Sequence, residues 1–351
     1  MARILYGVMS RSNGHLTRAL AVARRLPEHE FYFVGGDRIR TVVGDRYPVL
    51  TVPDLHTVYR NQRVHLPATV CQGLRSLAAI PTGRRQVLGL IERWQPNLAF
   101  CDFELCVPLA ARAAGLKCVS IDHQHILRAT RYPVPASQKV SRWLALASAY
   151  LFYNFTRHNL IVSFFQPDLK LNRSRNELLP PILRPTVTEI TARAGNHVLI
   201  YQTTPTFTGL LDAARQLSRP VIVYGMRSAP AVEGNITFKS FDPRGILEDL
   251  AGCAYVVVNG GHNVICESLY YGKPVLSFPI ALDFEQFLNA WHVRALGYGD
   301  FSTSRAPTPE LFQRFERQVD DYRANISQKF VDGTARVVER VRELISEQAR
   351  R

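Results

Sequence analysis

The chain is short of negative charge. Its 351 residues carry 43 Lys and Arg against 29 Asp and Glu, a formal net charge of +14. It also lacks any run of about 18 apolar residues without charge, so no transmembrane helix is expected. Its opening, Ala2-Arg3-Ile4-Leu5-Tyr6-Gly7-Val8, is too short and too soon broken for the core of a secretory signal and reads as a first strand. Cysteine is sparse. The six (71, 101, 106, 118, 253, 266) show no metal-ligand spacing, and several lie inside apolar runs. They read as reduced, buried residues of a cytoplasmic protein. There is no internal repeat, no low-complexity segment and no recognised nucleic-acid motif, so nucleic acid is not an expected partner.

The basic surplus is uneven. Residues 1–180 hold 24 Lys and Arg against 11 Asp and Glu, and residues 181–351 hold 19 against 18. A first half so charged suits an anionic partner: a membrane surface or a phosphorylated acceptor. A solvated basic surface explains the same count. Peripheral association with the inner face of the membrane is the expectation, with Arg and aromatic residues of 128–157 as contacts.

The apolar pattern alternates strand and helix twice. Residues 3–8 and 31–34 read as strands around a helix over 16–26, the start of a doubly wound sheet. A polar loop over 54–67 follows, then a helix over 69–94 interrupted near Pro81, a strand over 97–101 ending at Asp102, and a helix over 107–114. The next strand, 117–121, ends at Asp122-His123-Gln124-His125. Residues 143–165 read as a buried helix and a strand. Leu178 to Pro185 contains three prolines and reads as a linker. Strands at 197–201, 220–224, 236–239, 254–258 and 275–278 form a second alternating unit, and 308–347 is mostly helical. The expected division is 1–184, 185–330 and a closing helix, 331–351, packing back on the first domain.

The stretch Ala254 to Pro279 organises the second half. An apolar strand, Tyr255 to Val258, breaks at Gly260-Gly261 and resumes as a helix. Free N–H groups and the helix dipole at such a turn attract phosphate. On its own the glycine pair reads first as an ordinary turn between strand and helix, and the surrounding residues make the case for more. Glu267, about one turn into the helix, is placed to accept hydrogen bonds from ribose hydroxyls.

Gly260-Gly-His-Asn263, Glu267, Gly272-Lys-Pro-Val275 and Phe284-Glu-Gln-Phe-Leu-Asn-Ala290 together resemble the donor-binding region of nucleotide-sugar glycosyltransferases of the GT-B fold. The resemblance is to the inverting enzymes related to the lipid II-forming N-acetylglucosaminyltransferase and to the UDP-glycosyltransferases. It implies two doubly wound, Rossmann-like α/β domains facing each other across a cleft, with acceptor on the first and donor on the second. It implies diphosphate contacts at Gly260, Gly261, His262 and Asn263, ribose contacts at Glu267, and sugar contacts at Glu285 and Gln286. The plant pattern has histidine where this chain has Asn259. Thr203 and Thr204, after the first strand of the second domain, suit the donor phosphates or an ordinary turn, and Phe241 suits the base. The donor would be a UDP- or dTDP-sugar, with no cofactor and no metal.

In the first half, Gly14-His-Leu-Thr-Arg-Ala-Leu20 follows the first strand and resembles the N-terminal loop of the same families. There this histidine is in many members the general base that deprotonates the acceptor hydroxyl. His15 is the expected base, since an imidazole with a pKa of about 6.5 suits that step. Asp102 is the expected carboxylate that orients it, because both follow strands of one sheet. Glu104 could replace it or bind acceptor, and either acid could simply cap the next helix. Asn13, His123 and His125 are expected to line the acceptor side. The acceptor carries a hydroxyl, with lipid-linked compounds among the candidates. A sugar-nucleotide 2-epimerase of the same fold and a non-catalytic sugar-nucleotide or nucleic-acid binder are the competing functions.

Overall fold

The computed structural model describes residues 1–350 apart from 11–12, 56, 154, 171–174, 203–204 and 206, and without the side chains of Asn13, Phe152 and Ala349. The chain divides into two units. Unit 1 comprises 1–58, 66–184 and 332–351, and unit 2 comprises 59–65 and 185–331.

Unit 1 is built on β1 (Arg3–Val8), β2 (Glu30–Gly35) and β3 (Val49–Thr51). The next strands in the chain, β4 (Tyr59–Arg60) and β5 (Arg63–Val64), belong to unit 2. Unit 1 resumes with β6 (Leu98–Asp102), β7 (Cys118–Asp122), β8 (His158–Val162) and β9 (Asn176–Leu179). All its pairings are parallel, in the order β3-β2-β1-β6-β7-β8-β9. The chain runs outward from β1 in one direction and from β6 in the other. The boundary between them is a topological switch point, where ligands of open α/β sheets bind at the strands' carboxyl ends.

The two-residue period of β1 serves both faces of this sheet. Ile4, Tyr6 and Val8 join a core with Leu16, Ala19, Leu98, Phe100, Val337 and Val341. Leu5 joins the opposite core with Val87, Leu90, Ala99, Val107 and Ala110. The helices concerned are α1 (Asn13–Ala23), α2 (Leu66–Trp94), α3 (Cys106–Ala113) and, after α4 (Lys139–Phe152), the final helix of the chain.

Unit 2 repeats the plan. Its strands are β10 (Val198–Tyr201), β11 (Val221–Tyr224), β12 (Ala231–Glu233), β13 (Ile236–Lys239), β14 (Tyr255–Val258), β15 (Val275–Ser277) and β16 (Gly299–Phe301). Their order is β12-β13-β11-β10-β14-β15-β16, parallel except for the edge pair β12 and β13. The switch point lies between β10 and β14. Two helices flank this end of the sheet, α5 (His262–Tyr270) and α6 (Phe284–Ala295). The chain closes with α7 (Thr334–Ala349), back in unit 1.

Four local expectations are corrected. α2 is continuous through Pro81. A proline removes one helical donor, and the burial of Ile80, Gly83, Val87 and Leu90 on one face holds the helix across it. The loop over 54–67 contains the β4–β5 hairpin. The proposed linker begins inside β9, which is the edge strand of the first sheet. The helix in 143–165 is not fully buried, since Trp143, Tyr150 and Leu151 are exposed. Its apolar residues go all the way round, while the fold covers one side.

The packing of α7 gives a stability prediction. Leu344 has no exposed surface and belongs to the core with Ile4 and Leu16. Leu344→Ala should destabilise unit 1 by about 2–5 kcal/mol. Hydrogen exchange should show protection lost in β1 and α1 and kept in β10 and β14. A uniform loss in both units would contradict this assignment.

Candidate active site

β1 and β6 pair in register, with Val8 opposite Asp102. The chain leaves β1 and enters α1, so the first turn of α1 stands over the end of β6. His15 lies in that turn. Its Nδ1 is 2.6 Å from Asp102 Oδ1. A carboxylate only accepts, so Nδ1–H is the donor in this contact. Gln124 Nε2, from the turn after β7, lies 3.4 Å from His15 Nε2.

Asp102 has a second partner. Arg18 donates from Nε to Oδ2 at 2.7 Å and from Nη2 to Oδ1 at 2.8 Å, a two-pronged ion pair. Asp102 side chain is 0% exposed and that of Arg18 is 3% exposed. Burial pulls the Arg18 pKa down, but the charge and hydrogen bonds of Asp102 outweigh it, and the net shift is upward. Sequence reasoning gave Arg18 only as part of the loop pattern. The signal was present: three residues after His15, it shares that face of α1.

Phe103, next in the chain, has φ of 53°. A bulky residue in the left-handed region is uncommon and clusters at functional sites. Its ring stacks on His15, with centroids 5.9 Å apart, and on Tyr153. The unusual turn sends Asp102 and Glu104 to different partners. Glu104 accepts from the N–H groups of Cys106 and Val107 at 2.5 and 2.7 Å and so caps α3. Burial pushes its pKa up to about 7, against the downward pull of those two bonds. A Cβ on Gly7 of β1 would lie 2.7 Å from Glu104 Oε2, so glycine there makes room for the carboxyl.

A second histidine–carboxylate pair ends β7. His125 Nδ1 lies 2.6 Å from Asp122 Oδ2, its backbone N–H donates to Oδ1 at 2.9 Å, and the Ser120 hydroxyl donates to Oδ2. Burial pushes Asp122 up, but the His125 charge and these hydrogen bonds prevail and hold it well below the usual carboxylate range. His125 Nε2 is buried without a hydrogen-bond partner among the described residues. His123 is fully buried, with Nδ1 2.9 Å from the Val162 carbonyl. The side chain of Asn13 lies outside the described residues.

In unit 2 the strand–turn–helix over 255–270 is as the sequence suggests. Gly260 has φ of 106°, and a Cβ there would lie 2.7 Å from the Gln286 carbonyl oxygen. Only glycine fits. Asn289 of α6 donates to the Gly260 carbonyl at 3.0 Å. Gly261 is the N-cap of α5, so the first free N–H groups of that helix follow it. Glu267 is buried one and a half turns on. His262 is buried beside Asn263 and Cys266.

Asp283 caps α6, accepting from the Gln286 N–H at 3.2 Å. Glu285 is in the first turn. Gln286 Oε1 accepts from the Ile280 N–H at 3.1 Å, which directs its NH2 elsewhere. Phe241, after β13, is half exposed. Thr203 and Thr204 lie outside the described residues. Near the ends of β10 and β11, an open depression of about 660 Å³ is lined by Pro205, Gly225, Met226 and Arg227.

The sequence reading also missed the floor of this switch point. Asn259 Nδ2 donates to Gln202 Oε1 at 2.6 Å. Gln202 Nε2 and Ser277 Oγ are buried with no hydrogen-bond partner among the described residues. All three residues follow or end strands β10, β14 and β15. Among the described residues, no group of three or more His, Cys, Asp or Glu side chains is arranged to hold a metal, and no helix is long and apolar enough to cross a membrane.

Comparison with known proteins agrees with this architecture. An uncharacterized glycosyltransferase of Methanosarcina acetivorans is 27% identical over 352 residues, covering 90% of this chain and 87% of its own. The crystal structure of the glycotransferase of kitacinnamycin superposes with a TM-score of 0.68 at 18% identity, covering 99% of both chains. Phytolacca americana UGT2, solved with UDP-2fluoro-glucose and pterostilbene, gives 0.66 at 12% identity over 99% of this chain and 100% of its own. The two sheets and their order are those of the GT-B fold. The family model for glycosyl transferase family 1 matches residues 2–319, and the chain belongs to that family of glycosyltransferases.

Proposed function

We propose that the protein inverts configuration at the anomeric carbon as it moves a sugar from a UDP- or dTDP-sugar to an acceptor hydroxyl, without a metal. The observation that carries this reading is the buried His15–Asp102 pair at the switch point of unit 1. With Nδ1–H on Asp102, Nε2 takes the acceptor proton. The acceptor oxygen attacks the anomeric carbon as the bond to the diphosphate breaks. The resulting imidazolium is stabilised by Asp102, which Arg18 holds in place.

Unit 2 supplies the donor side. The N–H groups at the start of α5, with Gly260, Gly261, His262, Asn263, Thr203 and Thr204, meet the charge that develops on the leaving diphosphate. Glu267 takes the ribose hydroxyls, Glu285 and Gln286 the sugar hydroxyls, and the half-exposed Phe241 ring the base. Asn13, Glu104, His123 and His125 belong to the acceptor side. The sugar nucleotide in the Phytolacca relative's structure supports a nucleotide-sugar donor. A donor and acceptor screen read by mass spectrometry tests the reaction class.

His15→Ala should lower turnover by about 10²–10⁴ while donor affinity stays near normal. Asp102→Asn should lose less. Nearly full turnover in His15→Ala would place the base elsewhere.

Glu267→Ala should weaken UDP binding about tenfold to a hundredfold, the loss of hydrogen bonds to a charged group, with the melting temperature nearly unchanged. Unaltered affinity in calorimetry would remove the ribose assignment.

The basic first half and the exposed Trp143, Tyr150 and Leu151 of α4, alongside exposed Lys139, support reversible association with an anionic inner leaflet. Each basic residue near such a surface contributes about 1 kcal/mol, and salt weakens it. The chain should float with anionic liposomes and not with neutral ones. Absence from both would favour a soluble acceptor.

A further inference from the structure

Residues 59–65 are encoded between β3 and α2, both in unit 1, yet they belong to unit 2. They form a hairpin with Tyr59 opposite Val64 and Arg60 opposite Arg63. Its two turn residues, Asn61 and Gln62, have φ of 47° and 54°. Positive φ at both is the geometry of a type I′ turn. Asparagine tolerates that region. Glutamine does so with less ease, and the fold must compensate.

The compensation is visible in what Gln62 touches. Its side chain is buried. Nε2 donates to the Phe278 carbonyl at 2.9 Å, and Oε1 lies 3.4 Å from Asn259 Nδ2. Its own carbonyl accepts from the Ala281 N–H at 3.0 Å, and the Val64 N–H donates to the Ala281 carbonyl at 2.9 Å. The Tyr59 hydroxyl donates to Asp283 Oδ2 at 2.9 Å, while Oδ1 of the same carboxylate caps α6.

The hairpin therefore grips three pieces of unit 2. They are the strand end before the glycine turn, the connection 278–283, and the cap of the helix that carries Glu285 and Gln286. That connection includes Leu282 at φ of 69°, so it does not lie in a relaxed backbone well. We propose that the 59–65 hairpin is a working part of the donor site, in which Tyr59 and Gln62 are positioning residues that set the sugar-reading helix start and the glycine turn. The proposal rests on the donor-binding reading of unit 2. It means that a segment encoded within the first half shapes the sugar-nucleotide site of the second half.

The two residues act on different pieces, so their variants should differ. Full-length wild type, Tyr59→Phe and Gln62→Ala are titrated calorimetrically with UDP, dTDP and a panel of UDP- and dTDP-sugars, and each is melted. Tyr59→Phe should keep affinity for the free nucleotide and lose about three- to tenfold for the sugar nucleotide, the scale of one hydrogen bond. Gln62→Ala should lose affinity for both. Wild-type affinities throughout would overturn the proposal. So would an equal loss for free and sugar-bearing nucleotides in Tyr59→Phe with a lowered melting temperature, which is the mark of a brace for folding only. If wild type binds no nucleotide at all, the donor reading falls and the proposal with it. That outcome is distinguished by the wild-type titration alone.

Discussion

A carboxylate with no exposed surface must be compensated, and Asp102 is compensated from a single helix. Two of its bonds come from Arg18 and one from His15, three residues apart on α1. This requires the start of α1 to stand over the end of β6, which in turn requires β1 and β6 to be neighbours. Removing one partner of a buried ion pair costs about 3–5 kcal/mol, because it strands the other charge. Arg18 is the partner whose loss would do so. Arg18 alone gives both Asp102 oxygens a charged partner, so the carboxylate does not depend on His15 for its burial.

Unit 2 meets the same topological constraint with different chemistry. At its switch point the strand ends carry amides and a hydroxyl, Gln202, Asn259 and Ser277, rather than charges. The positive element is the start of α5, made from backbone. Neutral amides need no countercharge when buried, whereas a buried charge would need a partner of its own. Unit 1 instead places a buried charged pair, Asp102 with Arg18, at its switch point.

Local signals were legible in the sequence and long-range ones were not. The strand–glycine–helix over 255–270 is written in contiguous residues, and Gly260 has its steric reason beside it. His15 with Asp102 was legible because both follow strands of one parallel sheet, and parallel sheets gather chemistry at that edge. Arg18 shares the His15 face of α1 by its spacing, but its bonds to Asp102 show only once β6 is known to end beneath α1. The 59–65 hairpin was missed for a stronger reason. Arg60-Asn-Gln-Arg63 lacks the glycine that marks most such turns, and the partner of Gln62 is Phe278, 216 residues away. Glu104 read equally well as acceptor contact or cap; its two bonds to α3 show what occupies the carboxyl, which no spacing rule could supply.

The path of the chain has a consequence for how the halves depend on one another. It passes from unit 1 to unit 2 at 58–59 and at 184–185, and returns at 65–66 and 331–332. Each unit therefore contains a segment encoded in the other's stretch. For unit 1 that segment is α7, whose Val337, Val341 and Leu344 fill the core against β1. For unit 2 it is the hairpin, whose bonds end on Asn259, Phe278, Ala281 and Asp283. A cut at the proline-rich segment would leave one half without a face of its core and the other without the brace of its glycine turn. Each sheet is therefore completed by a segment that lies outside the main stretch of chain from which it is built.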